Sequence, residues 1–583
     1  MSLSTVNQTV ALLARLLNMR KSTIPVLPTQ PQKPPCSVEK TAQAFERVTP
    51  ESQGISSAHI ASFLEALRRD TSLNMHSLLL LRNGKVLAEV SFGAQDTHVW
   101  KMTFSACKSI TALAVGMLID EGKLFLDDHV VDFFPDKTTP VMRLRFKDIT
   151  IRHLLTMTSG VSFNEAESMT QTDWVHAFFS ANNAGKAAKT FSYNSMNTYM
   201  LAAVIVRVTG ESLTEFLRPR LWEPLGITRV FWETCPEGIE KGGWGLYLSA
   251  EDMAKIGQLV LQRGCWNGQQ LISAAWIENA TAFHVEVPED CGDFNYGYQF
   301  WCGRQGCSFL FNGMLGQNVW GFPDSGILLV TNAGNDELFQ QSNYFRLAQE
   351  YFDCEFADAL PENPEDQERL KTVIENCRYM PQQTVCRPWW QFWKEPPLPL
   401  PNECYDWNGT TLHAVSANAA SVGLLPVLLQ ATQNNYASGL LELRFEIVDD
   451  RFLMTYSETG EAHQFAVGFD QPQITELYFH GEPYRVAVRG RFATNEDDET
   501  VLVVTMDFLE TPCTRTLKVI FGKGKMALRQ TERPGEPFLR QLLAEVKQRL
   551  DSKPLLGAAV DKLDDGYVLY KIGAMLSPEV ELQ

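Results

Sequence analysis

The longest apolar helical pattern in the chain begins at Ser105. Apolar residues run on to Ile119, and Gly122 follows as a stop signal. Because such a helix is hydrophobic nearly all round, we expect it to be buried. The other predicted helices cover residues 59–68, 149–160 and 198–208, and a further one begins at the N-cap residue Ser249.

Strand patterns lie at both ends of the region that contains these helices, residues 46–352. Residues 77–89 form a predicted hairpin with Asn83 and Gly84 in its turn. Two more strands are predicted at 316–322 and 326–332. Since the strands lie at the ends and the helices mostly between them, we expect an α+β fold (an α/β sandwich). In this fold the first and last strands of an antiparallel sheet pair, and helices cover the sheet.

A second, all-β pattern occupies residues 403–536 and predicts a sandwich or a barrel. Its predicted strands cover residues 441–448, 452–457, 464–469, 473–479, 484–488, 501–509 and 514–521. The remaining segments are predicted as a helix and Pro-rich linker at 1–45, a Pro- and Trp-rich linker at 353–402, and a helix and tail at 537–583. The run Trp389–Trp393 is either a binding platform or a linker held on a domain surface by aromatic burial.

Composition narrows the class of protein. The 583 residues exceed what one core supports, and the 45% hydrophobic and 21% charged residues are ordinary for a globular protein. The formal charge of −18 argues against a nucleic-acid partner. We see neither a membrane span nor a signal peptide, so we expect a cytoplasmic location. The twelve cysteines lack zinc-site spacing, and we expect free thiols and no metal or cofactor.

Candidate chemistry lies at the start of the first helix, where Ser105 and Lys108 stand three residues apart and therefore share a face. Burial would lower the pKa of the lysine and make its neutral amine available as a base. A core helix with a snorkelling lysine explains the same spacing. The chain repeats S-x-x-K at Ser37–Lys40, but prolines precede this copy and no apolar helix follows it, so we set it aside.

Two further stretches join this pattern: the Tyr-Asn-Ser tripeptide at 193–195 and the Phe-Asn-Gly-Met tetrapeptide at 311–314. Together with residues 149–160 and 245–254, they resemble the motifs of the serine β-lactamase-related family. This family includes class C β-lactamases, serine DD-peptidases and esterase-like hydrolases. The resemblance covers residues 46–350, with Ser105 and Lys108 in the nucleophile motif and Tyr193 in the tyrosine motif.

The resemblance implies a serine hydrolase that works through an acyl-enzyme. Ser105 attacks a carbonyl carbon, while Lys108 and Tyr193 move the proton to the leaving group. The backbone N–H groups of Ser105 and Met314 bind the oxyanion, and Gly313 lets the backbone come close to the substrate. The partner is then a small-molecule ester or amide.

Two positions depart from the family pattern and are expected beside the substrate. Ser195 replaces the asparagine of the tyrosine motif, and Phe311 replaces the cation that grips a substrate carboxylate. We therefore predict an esterase- or amidase-like hydrolase, with a true β-lactamase or DD-peptidase and a non-catalytic ligand-binding or sensor module as alternatives. Cys107 and His153 are expected to be core residues. The sequence leaves open the natural substrate, the oligomeric state and the role of the β-rich region.

Overall fold

The structure is a computed structural model that describes residues 31–39, 41–183, 190–289, 292–304, 307–378, 400–415, 422–522, 526–542 and 573–583. The predicted N-terminal helix, the run Trp389–Trp393 and most of the predicted C-terminal helix lie outside these residues. The chain divides into two compact units. The first contains Ser37–Ser91 and Asp96–Cys377, and the second contains residues 31–36, Phe92–Gln95 and the described residues from 378 onward.

The first unit mixes helices and strands. Its helices are α1 Ser57–Arg69, α2 Cys107–Asp120, α3 Pro140–Phe146, α4 Ile151–Leu155, α5 Glu165–Ser168, α6 Trp174–Ser180, α7 Ser195–Thr209, α8 Leu213–Leu217, α9 Ala250–Leu261, α10 Ala274–Ala280, α11 Asn343–Phe352 and α12 Pro364–Glu375. Its strands are β1 Met75–Arg82, β2 Lys85–Ser91, β3 Lys101–Met102, β4 Phe231–Trp232, β5 Leu246–Leu248, β6 Cys265–Trp266, β7 Gln269–Gln270, β8 Phe294–Tyr296, β9 Trp301–Gly303, β10 Phe309–Gly313, β11 Gln317–Phe322 and β12 Ile327–Ala333.

An antiparallel sheet in the order β2-β1-β12-β11-β10-β9-β8 forms the centre of this unit. The strands β1 and β12, which come from the two ends of this unit in chain order, pair with Leu79 opposite Val330 and Arg82 opposite Ile327. The predicted pairing is therefore confirmed. Successive side chains on a strand point to opposite faces of the sheet. Because Leu78 and Leu79 are both buried, both faces are covered, and the predicted α+β class is confirmed.

Packing between the helices and the sheet builds one large core. Helix α9 lies so close to the sheet that a Cβ on Gly257 would stand 2.5 Å from Cγ1 of Val319. The same core contains α2 and α7, and every residue from Cys107 to Leu118 is buried. The predicted burial of this helix is therefore confirmed. None of the helices in the described part of the chain is long and apolar enough to span a membrane.

Two helices differ by three or more residues from their predicted bounds, and a third helix lies where a linker was predicted. Helix α4 ends at Leu155, before the predicted end at residue 160, because Met157 adopts φ +56° and the Thr158 N–H bonds back to an earlier carbonyl. Helix α7 begins at Ser195, three residues before its prediction, because the Asn194 side chain caps it. Residues 364–375, within the predicted linker, form α12, which packs beside α1.

The second unit contains many strands. They are β13 Thr411–His413, β14 Leu440–Val448, β15 Arg451–Glu458, β16 Glu461–Ala466, β17 Gln473–Phe479, β18 Glu482–Thr494, β19 Thr500–Phe508, β20 Thr514–Phe521, β21 Met526–Arg533 and β22 Glu579–Leu582, with helices α13 Asn402–Asp406 and α14 Val427–Gln433. β13 to β16 form one antiparallel sheet and β17 to β22 another. The predicted strands are present, and the sequence missed β13, β21 and β22. Two ion pairs, Arg515–Glu532 and Lys33–Glu510, are buried within this unit.

Candidate active site

The Ser105 hydroxyl lies at a tight turn that opens α2. Residues Phe104–Ala106 form a 3-10 turn, and Phe104 adopts φ +44°, a left-handed conformation that is strained for a bulky residue. The turn is fixed by Thr103, whose N–H and hydroxyl both donate to the carbonyl of Leu246 at 2.8 and 2.9 Å. Ser105 stays half-buried while its neighbours are buried, so its hydroxyl is reachable.

The Lys108 amine is buried directly beside this hydroxyl. The lysine is 1% exposed, and its Nζ donates to Ser105 Oγ at 2.7 Å and to the carbonyl of Gly243 at 2.7 Å. Burial lowers the pKa of Lys108 to about 8, against smaller opposing effects of Cys107 and Glu165. The amine is thus oriented at the serine and is partly neutral near pH 7.

A Gly-Gly pair holds the lysine and was missed from the sequence. The Gly243 carbonyl accepts from Lys108, and the Gly242 carbonyl accepts from Thr111 at 2.8 Å. A Cβ on Gly243 would stand 2.9 Å from the Ser195 carbonyl oxygen, so only glycine fits between α2 and α7. The glycine cluster at 242–245 was the available signal, but the packing of two helices gives it this meaning.

The Tyr193 ring lies against the lysine and inside an aromatic group. Lys108 Nζ is 4.9 Å from the ring centroid. The ring stacks on Trp301 at 5.9 Å and 26°, and Phe339 meets it nearly edge-on at 5.2 Å and 82°. Tyr296 and Phe191 complete the group. Ser105, Lys108 and Tyr193 therefore come together, although 88 residues separate the serine from the tyrosine.

The segment after Tyr193 is anchored to a loop that the sequence did not associate with the site. The Asn194 amide donates to the carbonyls of Val161 and Phe163 at 3.0 and 2.7 Å. The Ser195 N–H donates to Glu165 Oε1 at 2.8 Å. Glu165 also raises the pKa of Lys108 through its charge, so this carboxylate acts on the site electrostatically. Ser195 itself is 4% exposed.

The end of β10 lies against the serine turn. A Cβ on Gly313 would stand 2.3 Å from the Thr103 carbonyl oxygen and 3.2 Å from the Ala106 nitrogen, so glycine is required for this approach. Met314, the next residue, is half-buried where the strand ends. The backbone at 313–314 and the serine turn therefore lie close together, which is one requirement of a two-donor oxyanion site.

A polar ladder supports the turn at 314–316, which joins β10 and β11 into a hairpin. The Ser77 hydroxyl donates to Asn332, the Asn332 amide donates to Gln317, and the Gln317 amide donates to the Leu315 carbonyl at 3.3 Å. All of these side chains are buried. Because a buried polar group without a partner is costly, the satisfied ladder specifies one position for the turn that follows Met314.

The remaining candidates occupy structural positions. Phe311 is 2% exposed, and its ring packs in the core against Phe300 at 5.2 Å. Its expected place beside the substrate stays a prediction. Cys107 is fully buried, which raises the pKa of its thiol to about 12. His153 Nδ1 accepts from the Thr150 N–H at 3.1 Å and caps α4. Among the described residues, no three His, Cys, Asp or Glu side chains cluster as metal ligands would.

Comparison with known proteins matches the first unit. Residues 60–348 match the family model described as Beta-lactamase. A 6-aminohexanoate-dimer hydrolase from Paenarthrobacter ureafaciens is 28% identical over 289 residues, which cover 44% of this chain and 71% of that protein. Protein flp from Staphylococcus aureus (strain NCTC 8325 / PS 47) is 30% identical over 174 residues, which cover 26% of this chain and 34% of flp. The chain thus spans about a third of the length of that relative. The crystal structure of a penicillin binding protein from Bacillus halodurans is 19% identical with a TM-score of 0.39, and the match covers 54% of this chain and 99% of that one.

The fold of the first unit, the family match and the hydrolase relative define the class of protein, a serine hydrolase. Through residues 60–348 the chain belongs to the serine β-lactamase-related family, as the sequence motifs indicated.

Proposed function

We propose that Ser105 is the nucleophile of an acyl-enzyme reaction on an ester or amide, with Lys108 as its base and Tyr193 as the proton carrier. The observation that supports this most strongly is the 2.7 Å hydrogen bond from Lys108 Nζ to Ser105 Oγ. A buried lysine with a pKa of about 8 costs folding free energy. Because this lysine lies against a reachable hydroxyl, its neutral amine can serve as the base that activates the serine.

The proposed acylation step transfers one proton and exchanges one bond. The Ser105 oxygen bonds to the carbonyl carbon, and Lys108 takes the hydroxyl proton. The proton passes by way of Tyr193 to the oxygen or nitrogen of the leaving group as its bond to the carbonyl carbon breaks. Water then attacks the acyl-enzyme, releases the acid and restores the serine.

The oxyanion of both tetrahedral intermediates would be bound by the backbone N–H groups of Ser105 and Met314. The close approach of Gly313 to the serine turn supports this pairing. Preorganised backbone donors lower the barrier because they need no rearrangement when the charge develops. Removal of one such donor in other hydrolases costs about 100- to 1,000-fold in kcat.

We infer a substrate without a carboxylate at the position that a family cation would grip. Phe311 supplies no charge there, and its ring is part of the core. The relative named as a 6-aminohexanoate-dimer hydrolase supports an amide bond as the target of the reaction. A linear dimer of an amino acid also ends in a carboxylate, so this relative supports the amide bond and not the absence of a carboxylate. A cytoplasmic location also stays a prediction from the sequence.

A fluorophosphonate probe and a short-chain 4-nitrophenyl ester test the proposal. Wild-type protein should be labelled at Ser105 and should hydrolyse the ester, and Ser105→Ala should lose both. Ser37→Ala is the matched control, because it removes the serine of the other S-x-x-K pattern and should keep full activity. Wild-type protein that is neither labelled nor active would contradict the proposal, as would Ser105→Ala that keeps both.

The β-lactam nitrocefin separates the proposed activity from its main alternative. We expect slow or undetectable hydrolysis because the cation that grips the carboxylate is absent from position 311. Hydrolysis of nitrocefin faster than hydrolysis of the neutral ester would show a β-lactamase instead.

A further inference from the structure

The segment 334–342, which follows β12, connects the two halves of the candidate site. At one end it exchanges backbone hydrogen bonds with the hairpin turn: the Leu315 N–H donates to the Glu337 carbonyl at 2.9 Å, and the Asn335 N–H donates to the Leu315 carbonyl at 3.2 Å. Near its other end, the ring of Phe339 meets Tyr193. One segment thus touches both the turn at 314–316, called the oxyanion turn because it begins with Met314, and the proposed proton carrier Tyr193.

A buried carboxylate closes this segment on itself. Glu337 is 1% exposed, and its two oxygens accept from the Asn335 amide and the Ser342 N–H, both at 3.0 Å. Burial raises the pKa of the Glu337 carboxyl. Each carboxylate oxygen has a donor, so the loop is held in one shape by charge-assisted hydrogen bonds.

The segment is also bound to β10. The Gln340 amide donates to Asn312 Oδ1 at 2.9 Å, and the Asn312 amide donates to Asn318 at 2.8 Å. These side chains are buried, so the loop cannot move without breaking satisfied polar contacts. The position of Phe339 is therefore fixed by β10, the strand that ends just before Met314, the proposed oxyanion donor.

Tyr193 depends on its neighbours for its place. It lies in residues 190–194, which belong to neither a helix nor a strand. Trp301 limits the ring on its face, and Phe339 limits it with a nearly perpendicular contact at 82°. Trp301 and Phe339 also contact each other at 5.7 Å. Movement of the Tyr193 ring toward Phe339 is blocked, so the ring stays against Lys108, whose Nζ lies 4.9 Å from the ring centroid.

We propose that Phe339 is a positioning residue for Tyr193, and that segment 334–342 couples the position of Tyr193 to that of the oxyanion turn. This inference rests on the proposed function, because it assigns proton transfer to Tyr193. Phe339 does not touch the reacting atoms; it acts through the tyrosine.

The chemistry supplies a readout that general loss of stability does not imitate. When the C–O bond of an alkyl ester breaks, the leaving alkoxide needs the proton that Tyr193 delivers. A 4-nitrophenolate leaves without a proton, since its negative charge is delocalised. A displaced Tyr193 should therefore slow the alkyl ester more than the nitrophenyl ester.

The experiment compares ethyl acetate with 4-nitrophenyl acetate in wild-type protein, Phe339→Ala and the milder Phe339→Leu. Phe345→Ala is the matched control, because Phe345 is as buried as Phe339 (7% against 6% exposed) but packs on Trp320. We expect Phe339→Ala to lower kcat/KM, which reports acylation, about tenfold more for the ethyl ester than for the nitrophenyl ester, and Phe339→Leu to do so to a smaller degree. Phe345→Ala should change both substrates equally.

Equal losses on both esters in the Phe339 variants would overturn the inference. A wild type that is labelled by fluorophosphonate and cleaves only the nitrophenyl ester would also overturn it, because Tyr193 would then have no leaving group to protonate. A wild type that is not labelled at all would instead refute the proposed function. The labelling of the wild type therefore distinguishes the two failures.

Discussion

The buried amine of Lys108 allows a quantitative prediction about activity. Burial lowers its pKa from 10.5 to about 8, so about a tenth of the molecules carry a neutral amine at pH 7. With the pKa of an ordinary lysine, about one molecule in 3,000 would do so. The structure thus raises the population of the base about 300-fold at neutral pH.

Lys108→Met removes this base and keeps an unbranched side chain of similar length. A general base contributes about 100- to 10,000-fold, so kcat/KM for a 4-nitrophenyl ester should fall by at least about 100-fold. In the wild type, kcat/KM should rise with pH and level off above about pH 8. Lys371→Met, at an exposed lysine, is the control and should leave the profile unchanged. A flat wild-type profile from about pH 6 to 9 would refute the assignment of Lys108 as the base.

The same substitution should change how folding stability depends on pH. The pKa of Lys108 is lower in the folded protein than in the unfolded chain, so the unfolded chain binds more protons between about pH 8 and 10.5. Wild-type stability therefore gains about 3 kcal/mol as the pH rises through that window, and Lys108→Met should lack this gain. Chemical denaturation of both proteins near pH 7 and near pH 10 measures it. The same pH dependence in both proteins would show that the lysine is not desolvated.

Three further predictions concern other parts of the structure. Gly313→Ala should slow fluorophosphonate labelling more than tenfold, since the new Cβ would lie 2.3 Å from a backbone oxygen; Gly573→Ala, with nothing within 4 Å, should label normally. Glu165→Gln should move the rise of the pH–rate profile to lower pH, because the carboxylate raises the pKa of the buried lysine; an unchanged profile would contradict this. Arg515→Met should lower the free energy of unfolding by about 3–5 kcal/mol, because it leaves a buried carboxylate without its ion pair. Arg444→Met, in an exposed pair, should cost less than about 1 kcal/mol in the same denaturation assay.

The elements of the first unit followed largely from local patterns. A hairpin turn at Asn83 and Gly84 and an apolar helix after Ser105 need only the neighbouring residues for their interpretation. Local patterns predicted the ends of helices and strands less accurately than their presence. Helix α4 stops at Leu155 because the Met157 backbone turns left-handed, which the residue type does not favour. Strand β22 depends on pairing with residues of β21 that lie 50 or more positions away along the chain.

The sequence determined by itself the chemical types of the candidate site: a serine and a lysine on one helical face, a tyrosine motif and a glycine that ends a strand. Spacing along the chain suffices for the serine and the lysine, because residues three apart on a helix must be neighbours. The tyrosine and the glycine followed from the resemblance to the serine β-lactamase-related family. The sequence could not assign the partners that tertiary structure supplies. Packing between elements far apart in sequence brings in three such partners. They are the Gly243 carbonyl that accepts from Lys108, the Glu165 carboxylate that raises the pKa of Lys108, and the Phe339 ring that contacts Tyr193. Such long-range contacts leave no local periodicity in the sequence. Only the folded chain therefore determines the pKa of the Lys108 amine and the position of the Tyr193 ring.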